Sequence, residues 1–170
     1  SAALPMTVPA GSLILYSPLT FHRASSFDNE TGEVCWLETT NSIGGYGCSF
    51  SNDGSKFYTG DFFQGLYQYD MTAQPIIPSA VQIYTSSGSN YGHMQLGPDG
   101  KLYWFDGSSG TDTMASVINS PNLPGALCDY HHDTIPFKHS SATNSTYGSV
   151  NYIQSWFLDT SYAEPGITAN

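Results

Sequence analysis

The chain has 170 residues and a formal net charge of −10 at pH 7, with basic side chains only at Arg23, Lys56, Lys101 and Lys138. That balance excludes a basic footprint able to displace counterions from nucleic acid, and it disfavours anionic membrane surfaces. Charged residues are 11% and aromatics 14%, with 12 Tyr and 9 Phe, which argues against exposed helices laced with Glu–Lys pairs and suits strands joined by tight turns.

In chain order, Ser1-Ala2-Ala3 opens the sequence without an initiator Met or a signal peptide, as expected of a mature or excised product. Gly11-Ser12-Leu13-Ile14-Leu15-Tyr16 reads as a strand. A fuller unit follows at Tyr46-Gly47-Cys48-Ser49-Phe50-Ser51-Asn52-Asp53-Gly54-Ser55-Lys56-Phe57-Tyr58. It reads as a strand opened by Tyr-Gly, a tight turn at Asp53-Gly54, and a second strand; Gly supplies the positive φ that such turns demand. Leu66-Tyr67-Gln68-Tyr69-Asp70 and Val81-Gln82-Ile83-Tyr84-Thr85 alternate as half-buried strands do.

The unit recurs at Tyr91-Gly92-His93-Met94-Gln95-Leu96-Gly97-Pro98-Asp99-Gly100-Lys101-Leu102-Tyr103. The Asp-Gly pairs lie 46 residues apart, the Tyr-Gly pairs 45, and Gly11 lies 43 before Gly54. A period of about 45 residues is that of a four-stranded propeller blade. The expected architecture is therefore all-β and β-propeller-like: blade I at 1–40, blade II at 41–85, blade III at 91–137, a closing strand at 147–157 and a polar tail at 158–170. The alternative is a β-sandwich, which also turns every 8–12 residues or so. Known propellers close with about four blades or more, so three blades plus one strand imply a portion of a longer protein, or sheets completed by a partner. Exposed strand edges invite such pairing.

The blade residues resemble a known family. Phe27-Asp28-Asn29-Glu30-Thr31-Gly32, then Tyr46-Gly47 and Ser51 to Tyr58, is similar to a stretch of large secreted proteins of Bacteroidota reading "FD-x-x-TG" and "YG-x-x-FSPDGSKLY". Gly65-Leu66-Tyr67-Gln68-Tyr69-Asp70 resembles "GKLYQYDL", and Gln95 to Tyr103 resembles "QLGPDGKIY". Val117-Ile118-Asn119-Ser120-Pro121-Asn122 with Gly125-Ala126-Leu127-Cys128-Asp129-Tyr130 is similar to "VINNPN…GAACNY", and Tyr152-Ile153-Gln154-Ser155-Trp156-Phe157 to "NFIQSYF". Gly148-Ser149-Val150 departs from the family's "GLP". The resemblance runs in order from Phe27 to Phe157. It implies a propeller-like region of proteins exported by the type IX pathway and linked to gliding motility or surface adhesion.

Candidate sites are few. His131, His132 and Asp133, with His139 near, have the donors for zinc or copper. Adjacent histidines on a strand point to opposite faces, however, so both reach one ion only across a bulge; a solvated loop is the alternative reading. Asp99, Asp106 and Asp112 offer oxygens for calcium at a spacing too loose for a calcium loop, and Asp53 and Asp99 read as turn caps. Phe62, Phe63 and Trp104 are placed in loops between the second and third strands of their blades. There they could stack on glycans, seal a protein interface, or pack between blades.

Cys35, Cys48 and Cys128 match no zinc spacing. They allow one bridge between Cys35 and Cys48, or three buried thiols, which their apolar strand contexts favour. Asn29 and Asn144 head glycosylation triplets. No nucleophile elbow, phosphate loop or carboxylate pair appears.

The expected function is thus a non-catalytic structural or adhesive module of an extracellular or cell-surface protein or filament. Its expected partners are other subunits or domains, with no nucleic acid, membrane insertion or cofactor. The alternatives are a carbohydrate-binding module, or part of a propeller hydrolase or lyase whose active site lies partly outside this chain.

Overall fold

The computed structural model describes residues 13–16, 22–28, 31–40, 47–61, 63–86, 92–105 and 114–136. The closing strand expected at 147–157, the tail at 158–170, and Asn29 and Asn144 lie outside them. Eleven strands account for most of the described chain: β1 (Leu13–Tyr16), β2 (His22–Phe27), β3 (Val34–Thr40), β4 (Cys48–Phe50), β5 (Lys56–Asp61), β6 (Gly65–Asp70), β7 (Val81–Thr85), β8 (His93–Leu96), β9 (Leu102–Phe105), β10 (Met114–Ile118) and β11 (Tyr130–Pro136). Two short 3₁₀ turns, Ile77–Ser79 and Gly125–Cys128, precede β7 and β11. The protein is all-β. Among the described residues no helix is long and apolar enough to cross a membrane.

Every strand pairs antiparallel with its neighbour in sequence. The pairing yields a three-stranded sheet β1-β2-β3 and two four-stranded sheets, β4-β5-β6-β7 and β8-β9-β10-β11. The Asp-Gly turns explain the tight β4–β5 and β8–β9 corners. Gly54 (φ +71) and Gly100 (φ +76) adopt the left-handed backbone that a Cβ disfavours. Their N–H groups close the turns onto Ser51 O at 3.0 Å and Gly97 O at 3.1 Å. The preceding aspartates lock each corner. Asp53 Oδ1 accepts from Ser51 Oγ at 2.8 Å and Ser55 N at 2.9 Å, while Asp99 accepts from Lys101 N at 3.2 Å and from the Tyr103 hydroxyl at 2.7 Å.

Two cores lie on opposite faces of the second sheet. On one face Phe57, Tyr69 and Ile76 pack with Phe50, Tyr67 and Ile77, and the first 3₁₀ turn there touches β3. The other face meets the third sheet: Tyr58 and Leu66 share a buried cluster with Met94, Leu102, Trp104, Ile118 and Cys128. Covered on both sides, β5 is buried at all six positions, including Thr59 and the Lys56 stem, whose ammonium reaches Asp70 Oδ1 at 3.3 Å. The first strands of the two sheets, β4 and β8, lie side by side. At that crossing a Cβ on Gly47 would fall onto the Gly92 carbonyl oxygen, which accounts physically for the glycine at position 47.

The cysteines are free thiols, so the Cys35–Cys48 bridge is not formed. Cys128 is buried and Cys48 half-buried, but the expectation of three buried thiols fails at Cys35. That residue lies exposed on β3, a strand at the border of its sheet, with Sγ 3.6 Å from Glu33 Oε1. The Glu33 carboxylate pushes its thiol pKa up, whereas burial does so for Cys48 and Cys128.

Turn locking carries a pH signature. Partial burial acts to raise the Asp53 carboxyl, but hydrogen bonds from Ser55 and Ser51 outweigh it and hold the pKa below the ordinary value. Asp70 is held low first by the Thr72 hydroxyl and N–H. A carboxyl depressed in the folded state contributes stability above its unfolded pKa, about 3.9, and loses that contribution as pH falls through the folded value. The urea midpoint of the native protein should therefore drop between about pH 4 and pH 2. An Asp53→Asn/Asp70→Asn variant should start lower at neutral pH and lose less over that interval.

Candidate functional site

The joint between the second and third sheets is the most completely built polar site among the described residues. Gln68 sits mid-strand in β6 where alternation sends it inward beside Tyr58, its register partner on β5. Both are buried, at 3% and 0% relative exposure. Gln68 Nε2 donates to the Tyr58 hydroxyl at 2.6 Å and to Leu123 O at 2.8 Å, and Gly125 N donates to Gln68 Oε1 at 2.8 Å. The Tyr58 hydroxyl donates onward to Pro121 O at 2.8 Å. A buried amide has two donors and a carbonyl acceptor to satisfy; here one donor and the carbonyl find partners on the segment joining β10 to β11, and the other donor meets the Tyr58 hydroxyl, which itself donates to that segment. That segment, Pro121–Cys128, thereby serves as a latch from the third sheet onto the second. Desolvation, followed by the nearby Cys128, raises the Tyr58 pKa, so the hydroxyl stays a donor at any physiological pH.

A second cluster lies where β7 meets β11. The His132 ring stacks on Tyr84 at a 4.4 Å centroid distance, and Tyr130 packs against Tyr84 at 5.4 Å. His132 Nδ1 lies 3.1 Å from both Ser116 Oγ and the Tyr130 hydroxyl; Nε2 lies 3.0 Å from the Tyr84 hydroxyl and 3.4 Å from Asp133 Oδ2. A bulge produces this arrangement. Ala115 pairs with Ile135 but Val117 with His131, so three residues of β11 face the single Ser116. Asp133 takes φ +48 there and donates its N–H to Ser116 Oγ at 3.0 Å. Ser, His and Asp thus meet, but not as a nucleophile with its base: Ser116 is 0% exposed, and no substrate carbonyl can reach its oxygen.

The residues singled out from the sequence are dispersed. His131 borders the bulge and His132 lies within it, and the two diverge, His131 pairing with Asp129 Oδ1 at 2.9 Å on the exposed side. His139 lies outside the described residues, and among those residues no three His, Cys, Asp or Glu side chains group as metal ligands. Asp99 caps its turn, while Asp106 and Asp112 are outside the described residues. Trp104 requires a correction: expected in a loop, it belongs to β9 and is fully buried against Gly60 of the second sheet, where no ligand can stack on it. Phe63 does lie at the β5–β6 turn, 71% exposed; Phe62 is outside the described residues.

The sequence reading missed Gln68, Tyr58, Ser116 and Tyr84. Only Gln68 left a signal, an amide at the centre of an otherwise aromatic alternating strand. No protein-family model matches this chain, and no curated protein matches it.

Proposed function

We propose that the chain is a non-catalytic structural or adhesive module, built from propeller-like four-stranded blades, of an extracellular or cell-surface protein that contacts other subunits or domains. One observation carries the reading. The polar side chains at the corners and the joint of the two four-stranded sheets hold the architecture: Asp53, Asp61, Asp70 and Asp99 accept from turn N–H groups, and Gln68 and Tyr58 satisfy the latch. A catalytic acid or base must keep its proton-carrying atoms turned toward substrate, with a pKa near working pH. Support for blades comes from consecutive four-stranded meanders stacked face to face with their first strands adjacent, at a spacing of about 45 residues. The contact surface offers exposed apolar groups, Val81, Leu123 and Leu127, on β7 and the latch that touches it.

Light scattering on natively isolated material should give a particle well above the 18.4 kDa of this chain, with no turnover across a panel of glycoside, ester, peptide and uronate-polymer probes. A species at the single-chain mass that turns over any of them overturns the reading. A glycan-binding role is the second reading, favoured by Phe63. Its exposed ring adjoins Gln64, whose side chain accepts from the Tyr67 hydroxyl at 2.8 Å. Aromatic stacking beside an amide suits a sugar face, and Phe63→Ala should then abolish retention on a glycan array while leaving the melting temperature unchanged.

A further inference from the structure

Tyr84 and Tyr130 are held side by side across the joint between the second and third sheets. Tyr84 belongs to β7 and Tyr130 opens β11, so the two rings come from different sheets. Both are half-buried and pack on the rim of the cluster that Leu66 and Trp104 fill. Their ring centroids lie 5.4 Å apart with the planes inclined at 46°, a separation at which two phenol rings touch. Both hydroxyls converge on one imidazole, that of Tyr130 at 3.1 Å from His132 Nδ1 and that of Tyr84 at 3.0 Å from Nε2. The carbons ortho to each hydroxyl are thereby brought to the same end of the pair. Asp133 N donates to Ser116 Oγ at 3.0 Å, which lets the Ser116 hydrogen point at Nδ1, 3.1 Å away. On that pattern Nδ1 is an acceptor and the ring hydrogen sits on Nε2, beside Asp133 Oδ2 at 3.4 Å.

We propose that Tyr84 and Tyr130 form a paired oxidation site, joined into a dityrosine within one chain by a haem peroxidase acting with hydrogen peroxide. Each phenol loses one electron to the oxidant together with its hydroxyl proton. The Tyr130 proton passes to His132 Nδ1, and the Tyr84 proton to water. Both tyrosyl radicals carry spin density at their ortho carbons, and a C–C bond forms between one such carbon of each ring. The hydrogens on those two carbons then move to the oxygens and restore both phenols. Two electrons and two protons leave the protein, and one hydrogen peroxide takes them up to become two waters. Coupling requires two radicals to meet, and rings already in contact meet without diffusion. The product ties the last strand of the second sheet to the last strand of the third and closes a loop over residues 85–129. None of this geometry depends on whether the chain is catalytic.

The test treats the native chain, at low protein concentration, with a haem peroxidase and hydrogen peroxide, while N-acetyltyrosine amide is oxidised in parallel. The expected result is a link between positions 84 and 130 of one chain, found by peptide mapping with loss of two hydrogens, and dityrosine fluorescence. Tyr84→Phe and Tyr130→Phe keep the rings and so the packing, and each should lose that link and most of the fluorescence. The linked protein should show an unfolding constant lower by about a hundredfold or more in a urea titration, the effect of closing a loop of this length. A link joining two chains through either residue overturns the proposal, as does a Tyr84–His132 adduct in its place. Absence of the 84–130 link while N-acetyltyrosine amide dimerises overturns it too, and so does undiminished fluorescence in both Phe variants. An unchanged urea midpoint in the linked protein would refute the tie between the two sheets.

Discussion

Trp104→Ala should lower the unfolding free energy by about 4 kcal/mol, the upper range for truncating a buried aromatic. The ring is 0% exposed in the cluster that joins the second and third sheets, so the substitution empties space on both sides of the joint at once. Trp104→Phe should cost far less. It also removes volume, but it takes away an indole N–H that is buried without a hydrogen-bond partner among the described residues, and relieving such a group offsets about 1–3 kcal/mol. Gly60 tests the same contact from the other sheet. A Cβ there would lie 2.7 Å from the Trp104 ring, and a ring walled in by a packed core cannot yield cheaply, so Gly60→Ala should cost about 1–3 kcal/mol. In the Trp104→Phe background most of that cost should vanish. Urea denaturation of the four proteins in the cycle measures the coupling. Additive effects would mean that the two sheets do not meet at this contact.

Gln68→Leu is expected to be the next most damaging change, at about 3 kcal/mol. It leaves the Gly125 N–H, the Leu123 carbonyl and the Tyr58 hydroxyl each short of a partner, at roughly 1 kcal/mol or more apiece. The loss should appear first as proteolytic cutting between Ser120 and Asp129, because the latch is released before either sheet melts. Gln68→Glu separates shape from hydrogen bonding. One oxygen still accepts from Gly125 N, but the other turns a buried carboxylate toward the Leu123 carbonyl. Burial raises the pKa of such a carboxyl. A raised folded-state pKa makes the variant gain stability, relative to its own value at pH 7, as pH falls and the group protonates. Urea midpoints at pH 7 and pH 5 check the sign. A Glu variant that weakens steadily on acidification, as the native protein does below pH 4, would contradict the geometry of the latch.

These two sites show how unevenly function and fold were written in the chain. The corners were legible because a turn is a local event. Asp53-Gly54 and Asp99-Gly100 carry their own backbone preference and their own hydrogen-bond acceptors within a few residues. The alternating runs 66–70 and 81–85 were legible for the same reason, and they became β6 and β7. Trp104 was misplaced because local pattern cannot distinguish a loop aromatic from one that ends a strand under a neighbouring sheet. What buries it is Gly60, 44 positions away in sequence. The β11 bulge likewise had no local signature: adjacent histidines read as divergent, and they do diverge, but the pairing of His132 with Tyr84 arises from contact between two sheets.

By itself, then, the sequence determined the all-β class, the corner positions and the repeat of about 45 residues, since turns and two-residue alternation depend on neighbours along the chain. Only the tertiary structure decided which residues meet. Stacking places Tyr58 and Gln68 against a latch more than 50 residues downstream, presses Gly47 onto Gly92, and buries Ser116 beyond the reach of any substrate. The physical reason is that face-to-face packing is set by shape and by satisfied hydrogen bonds between distant segments, and neither leaves a periodic trace in either segment alone.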